Sequence, residues 1–355
     1  MKEQTAMNRF RLEDIVRPNI AELKPYSSAR NEYSGQDAIY FDANENPFNR
    51  PYNRYPDPLH TELKKKISVL KSIGVDQIFA GNGSDEAIDL LIRAFCIPGK
   101  DQIIVPEPSY GMYEVCASVN DIMVQKVLLK SDFSLNTEDV LRSAGQYTKL
   151  LFICSPNNPT GNSFNENDVL LIVKKFKGLV VIDEAYIDFA PHTGFLKHLH
   201  SYPNMVILQT LSKAWGMAGI RLGFAFAEKR IIALLNKIKY PYNISGLTQR
   251  KALALLDRMV EKEMWIRSIL SQKEWLQKSL GQFSFVKKIY PSDANFFLIK
   301  VNNPDAIYSF LESEKLIVRN RSKMPLCDGC LRITVGTEVE NKMLINRLKE
   351  YHEHY

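Results

Sequence analysis

The chain has 355 residues, 45% of them hydrophobic and 24% charged, with a net charge of +6. That balance fits a soluble globular protein, and the length suits two domains rather than one core. No apolar stretch approaches the ~20 residues needed to span a bilayer. Residues 1–20 are charged and lack the apolar centre of an export signal, so the expected compartment is the cytoplasm.

In chain order, residues 1–45 read as helix fragments broken by Pro18 and Pro25, then a strand-like Ile39–Asp42. Asn44-Glu45-Asn46-Pro47 and Asn53-Arg54-Tyr55-Pro56-Asp57-Pro58 are turn-rich loops. Pro58 to Ser72 has an amphipathic helical pattern ending at Gly74. Its Lys64-Lys65-Lys66 run reads as a solvated helix face rather than a nucleic-acid patch. Gln77 to Gly83 is a short strand, followed by a helix with Ile88, Leu91, Ile92 and Phe95 on one face. Gly81 and Gly83 begin a dinucleotide fingerprint, but Glu86 stands where its third glycine belongs. What remains is a helix start at Ser84-Asp85, whose free amides suit one phosphate; a plain Ser84 N-cap is the simpler alternative.

Strand and helix patterns then alternate. Strands at Gln102–Val105, Val124–Leu129, Leu150–Cys154, Leu179–Ile182 and Met205–Leu208 imply a mostly parallel sheet between helices. Ligands in such sheets sit beyond the carboxyl ends of the strands. There the chain places Ser84 and Asp85, Asn158, Asp183 and Tyr186, then Thr210, Ser212 and Lys213, with Arg221 shortly after. Four sets of polar groups meeting at one edge exceed what turn chemistry requires. A lysine among other cations there can act as an amine nucleophile.

From about Leu234 the pattern becomes long helices to Leu280, interrupted at Tyr240–Gly246, then strand-like Asn295–Val301, a helix near Ala306–Ser313, strand-like Leu331–Val335 and a terminal helix. This describes a smaller α+β domain, expected to include the N-terminal segment. Five scattered cysteines argue against a disulfide framework. Cys327 and Cys330 have CxxC spacing, but no second pair or histidine cluster completes a zinc site. They also precede a strand, where a thioredoxin-like pair opens a helix. No metal is expected.

Tyr26 in LKPYSSAR, DANENP (42–47), RYPDP (54–58), GNGSDEAI (81–88), SPNNPTG (155–161), IDEAY (182–186), TLSKAWGMAGIRLG (210–223), PSDANF (291–296) and CLRITVG (330–336) occur in this order along nearly the whole chain. In order and spacing they resemble the class I/II aminotransferase superfamily of fold-type I pyridoxal phosphate enzymes, and within it the histidinol-phosphate aminotransferase family. Trp215, Met217 and Cys327 depart from that family's usual residues.

The resemblance implies a large domain with a mostly parallel seven-stranded sheet between helices and a smaller α+β domain. The divisions are residues 1–50 for the arm and part of the small domain, 51–245 for the cofactor domain and 246–355 for the small domain. It implies pyridoxal 5'-phosphate held covalently by Lys213, with Asp183 at the ring nitrogen, Tyr186 and Asn158 at the ring's 3-oxygen, and Tyr110 stacked on its face. Ser84, Asp85, Thr210, Ser212 and Arg221 would meet the phosphate, joined by Tyr55 from the second subunit of a homodimer. Tyr26, Asn44, Arg319 and Arg332 would contact substrate, Arg332 as a fork on a carboxylate. The implied substrates are small molecules, histidinol phosphate and the 2-oxoglutarate/glutamate pair. An aromatic-amino-acid aminotransferase or an L-threonine-phosphate decarboxylase would use the same cofactor residues. A ligand-sensing regulator of this fold is disfavoured, because no helix-turn-helix pattern precedes the first phosphate-loop strand.

Overall fold

The computed structural model describes residues 10–25 and 39–354. Its larger unit is a seven-stranded sheet of β1 (Ile78–Asn82), β2 (Gln102–Glu107), β3 (Met123–Leu128), β4 (Thr148–Cys154), β5 (Leu179–Asp183), β6 (Met205–Thr210) and β7 (Leu222–Ala227). The spatial order is β1-β7-β6-β5-β4-β2-β3. Neighbours from β6 to β3 pair in parallel, while β7 runs against both β6 and β1.

Helices α1 (Pro18–Glu22), α2 (Thr61–Lys71), α3 (Gly83–Phe95), α4 (Met112–Val119), α5 (Thr137–Ser143), α6 (Glu166–Lys175), α7 (Lys229–Ile238) and α8 (Gly246–Leu256) cover the two faces. The strand period of two divides the core accordingly. Leu151, Ile153, Val180 and Ile182 pack with α2, α5, α6 and α8, whereas Leu150, Phe152, Leu179 and Val181 pack with α3, α4 and α7. Burial on both faces is why these strands read as unbroken apolar runs. Side-chain N-caps at Asn136, Asn165 and Ser245 start α5, α6 and α8 by accepting otherwise unpaired amides.

The smaller unit contains α9 (Met259–Leu280), β8 (Val286–Ile289), β9 (Phe296–Val301), α10 (Pro304–Ser313), β10 (Arg319–Asn320), β11 (Cys330–Thr334) and α11 (Glu338–His354). Its antiparallel sheet has the order β10-β11-β9-β8. Phe297, Ile299, Leu331 and Ile333 face a local helix-covered core. Leu298 and Cys330, on the opposite face, join the core of the larger unit. That face therefore overlooks the large sheet.

Some expectations require correction. Ile39–Asp42 forms no strand, and Ile39 and Phe41 are 80% and 93% exposed. In the N-terminal segment, Leu12 and Ile15 pack into the large core, not the small unit. Ala252 and Leu256 of α8 pack in the core that also takes in Leu298 and Cys330. Within the lysine run, Lys65 pairs with Glu62 and Lys66 with Asp257, but Lys64 is buried and burial pushes its ammonium down to about 8.

Candidate active site

The carboxyl ends of β1, β4, β5 and β6 meet around a cavity of about 150 Å³. It is lined by Ser84 and Asp85 after β1, Asn158 after β4, Asp183 and Tyr186 from β5, and Thr210, Ser212 and Lys213 from β6. Tyr110 and Arg221 complete it. The reversed direction of β7 explains Arg221: the amino end of that strand, not its carboxyl end, reaches this edge. The Gly83 amide donates to the Arg221 carbonyl at 3.1 Å, tying the helix start to the cation. At Gly223 a Cβ would run into the Ser84 amide and the Gly83 carbonyl carbon, so glycine permits this approach.

Asp183 forms the buried floor, 2% exposed. Its Oδ2 accepts the Tyr113 hydroxyl at 2.8 Å and its Oδ1 the Ala185 amide at 3.1 Å. Burial pushes its carboxyl up to about 6, against the pull of those two donors. A cationic group above the floor would offset that desolvation.

At the other end, α3 presents the Ser84 and Asp85 amides, which have no acceptor within the helix. The Asp85 carboxylate turns aside, accepting Tyr110 Oη at 3.1 Å and facing Arg221 Nη2 at 3.3 Å. Asp85 thus offers its amide rather than its charge. Thr210 Oγ1 donates to Ser212 Oγ at 3.0 Å beside the same helix start. Amides, hydroxyls and a guanidinium form a donor set for a phosphate dianion.

Lys213 stands between the two ends, its Nζ 5.6 Å from the centre of the Tyr186 ring. Partial burial and the charge of Arg332 lower its affinity for a proton, while Asp183 and Asp85 oppose them. Burial pushes the Tyr186 phenol up, keeping it a hydrogen-bond donor. Carboxylate floor, amine and anion cradle together fit a phosphorylated, ring-nitrogen cofactor bound through a lysine.

The smaller unit brings two arginines together. Arg332 on β11 is opposite Arg319 on β10, and its guanidinium lies 5.1 Å over the Phe296 ring. Arg332 Nη1 donates to Asn158 Oδ1, while its buried Nε has no partner. Among the described residues no carboxylate forms an ion pair with either arginine. An Arg332 guanidinium without a carboxylate partner, held beside the cavity through Asn158, suits an anionic ligand.

Residues 30–348 match the family model for aminotransferase class I and II. The chain belongs to the class I and II aminotransferase family. This aminotransferase is 54% identical over 338 residues to a histidinol-phosphate aminotransferase of Parabacteroides distasonis, covering 95% of this chain and 98% of that one. A crystal structure of the histidinol-phosphate aminotransferase from Clostridium acetobutylicum superimposes with TM-score 0.79 at 26% identity, over 86% of this chain and 92% of that one. The Sinorhizobium meliloti enzyme of that name, in complex with pyridoxal-5'-phosphate, has the same fold, with TM-score 0.78 at 22% identity over 84% of this chain and 83% of that one.

Not every expected site residue of the aminotransferase lies in the cavity. Asn44 and Tyr55 line a separate, larger cleft of about 510 Å³, where Tyr55 stacks on Tyr242 at 4.5 Å. Tyr26 falls outside the described residues. Cys327 and Cys330 are fully buried free thiols, and burial pushes Cys327 up to about 12, far from a reactive thiolate. Among the described residues no group of His, Cys, Asp or Glu is arranged to hold a metal.

Sequence reasoning missed Tyr113 and Asn157. Asn157 Nδ2 donates to the Pro108 carbonyl at 2.9 Å and its Oδ1 accepts Ser109 Oγ at 3.2 Å, joining the loops that carry Asn158 and Tyr110. The doubled Asn of SPNNPTG was its available signal.

Proposed function

We propose that this aminotransferase moves an amino group between L-histidinol phosphate and 2-oxoglutarate, giving imidazole acetol phosphate and L-glutamate in histidine biosynthesis, with pyridoxal 5'-phosphate as cofactor. The carrying observation is the 54% identity, over nearly the whole of both chains, to a protein of that name. The arginine-bearing sheet face above the cavity agrees with substrates that present phosphate or carboxylate.

When bound, the cofactor supplies a protonated conjugated ring that takes up the electron pair left as a proton departs from the substrate carbon. The remaining work belongs to side chains. Asp183 holds negative charge against the ring nitrogen and so keeps its proton in place. Tyr186 donates its phenolic proton toward the ring's 3-oxygen. Asn158 has its Oδ1 engaged by Arg332, which leaves its Nδ2 to donate there as well. Ser84 and Asp85 amides, Ser212 Oγ and the Arg221 guanidinium hold the phosphate, with Thr210 fixing Ser212. Lys213 Nζ would take the proton from the amine-bearing carbon and pass it to a different carbon, the one through which the cofactor had been joined to the lysine, so that the amino group leaves the substrate. Arg332, with Arg319 and Tyr26, would grip the substrate's anionic end.

The reading includes a homodimer. Tyr52, Tyr55 and Leu247 are exposed large apolar side chains that line one cleft. Such clustering is the mark of a protein-binding face. A second copy there would receive Tyr55 at its phosphate, outside the cavity of Tyr55's own chain. Purified protein should be assayed with histidinol phosphate, phenylalanine and threonine phosphate. Transfer from histidinol phosphate at a kcat/KM at least a hundredfold above phenylalanine, with no decarboxylation of threonine phosphate, is the expected result. The reverse order of donors would overturn the substrate assignment.

A further inference from the structure

Tyr113 is fully buried, yet it carries a hydroxyl. It is the second residue of α4, one helical turn after Tyr110, and its ring is held from two sides. Phe152 stacks on it at 4.9 Å with 18° between planes, and Tyr110 meets it edge-on at 5.5 Å and 88°. This packing fixes the ring and hence the direction of its oxygen. A phenol buried so completely needs an acceptor, and a backbone carbonyl would satisfy it. Here the acceptor is Asp183 Oδ2, at 2.8 Å.

We propose that Tyr113 is a positioning residue: its hydroxyl and the Ala185 amide, one on each carboxylate oxygen, set the plane and the charge of Asp183 beneath the cofactor ring. The inference rests on the aminotransferase reading, because it gives Asp183 its role. A carboxylate gripped at one oxygen swings about its Cβ–Cγ bond; gripped at both, it presents one edge to the cavity. A hydroxyl donating to the charged form also favours that form. Without it, burial acts against Asp183 with only the Ala185 amide and the Lys213 charge in opposition. The other titratable groups facing Asp183 do not replace this donor. Asp85 and Glu184 are acids, and Cys154, Tyr110 and Tyr186 are neutral groups whose protons burial retains. One tight turn thus supplies both the aromatic at the ring face, Tyr110, and the clamp on the acid below it.

The test is Tyr113→Phe, which keeps the packed ring and removes only the oxygen. Three quantities are measured in the holoenzyme and its cofactor-free form: the acid limb of kcat against pH, the substrate KM and the dissociation constant of pyridoxal phosphate. Loss of a charge-assisted hydrogen bond corresponds to about one to two pH units. The acid limb should move up by that amount, cofactor binding should weaken roughly tenfold, and KM should stay within about twofold. Replacement of Tyr113 by 3-fluorotyrosine, a stronger donor, should move the limb down, and it serves if the phenylalanine variant does not fold. In an Asp183→Asn background the loss of cofactor affinity on Tyr113→Phe should largely vanish, as coupled residues require. An unmoved acid limb with wild-type cofactor affinity would overturn the proposal. So would an undiminished effect in the Asp183→Asn background. A wild-type protein that binds cofactor but transfers no amino group would instead refute the functional reading, leaving the affinity measurements to decide the role of Tyr113.

Discussion

Burying the Asp183 carboxylate has a cost that its hydrogen-bond donors Tyr113 and Ala185 offset only in part, and this sets its behaviour with and without cofactor. Its pKa is raised to about 6 in the folded chain, above the ordinary 3.8. A carboxyl raised by folding favours the folded state while protonated. The cofactor-free protein therefore loses stability as pH rises from about 4 to about 6 and stays penalised above that. Asp183→Asn should then stabilise the cofactor-free protein at pH 8 by roughly 2–3 kcal/mol, with the gain disappearing near pH 4. Urea unfolding at the two pH values checks this, and equal stability at pH 8 would contradict it. In the holoenzyme the same substitution should lower kcat by about a hundredfold or more while cofactor remains bound, because it removes charge where charge develops. The lysine, acid and phosphate-cup residues were legible because each follows a buried strand. Tyr113 was not, since a buried tyrosine and a site tyrosine look alike until the acceptor of the hydroxyl is known.

The strand ends, rather than single residues, explain why the cavity lies where it does. β1, β4, β5 and β6 were readable from their apolar runs, and the polar groups beyond them gave the edge. β7 was hidden: Gly223 interrupts its pattern and its direction is opposite to its neighbours. That reversal places Arg221 at the same edge as the parallel strands' carboxyl ends. β8 and β10 were missed as well, because VKKI is half exposed and Arg319–Asn320 is only two residues long. Ile39–Asp42 was misread for the converse reason: alternating apolar residues need a neighbouring strand, and none pairs with them in the described structure. The close passage of β7 past α3 carries its own prediction. Gly223→Ala should force β7 from the Ser84 amide, costing about 1–3 kcal/mol of stability and weakening cofactor binding roughly tenfold. Calorimetry and a cofactor titration check it. Wild-type affinity in this variant would show that the contact does not shape the phosphate cup.

The small unit turns one sheet face toward the large one, so Arg332 reaches Asn158 at the cavity that the strand ends build, with Arg319 opposite it on β10. Under the proposed dimer, the cleft that contains Tyr55 would extend the arrangement to a second copy. Hybrid dimers of Tyr55→Phe and Lys213→Ala protomers test this. If sites are shared, the lysine-bearing site of each hybrid carries neither lesion and binds cofactor with wild-type affinity. If they are not, that site shows the weakened affinity of the Tyr55→Phe homodimer, roughly tenfold or more for a charge-assisted bond. The central claim is that the edge where β1, β4, β5 and β6 end is the cofactor site, with Lys213 as its amine. Borohydride reduction of the holoenzyme followed by peptide mass mapping tests it most directly. One phosphopyridoxyl group per chain is expected, on Lys213; the group on any other lysine, or none at all, would rule out this assignment.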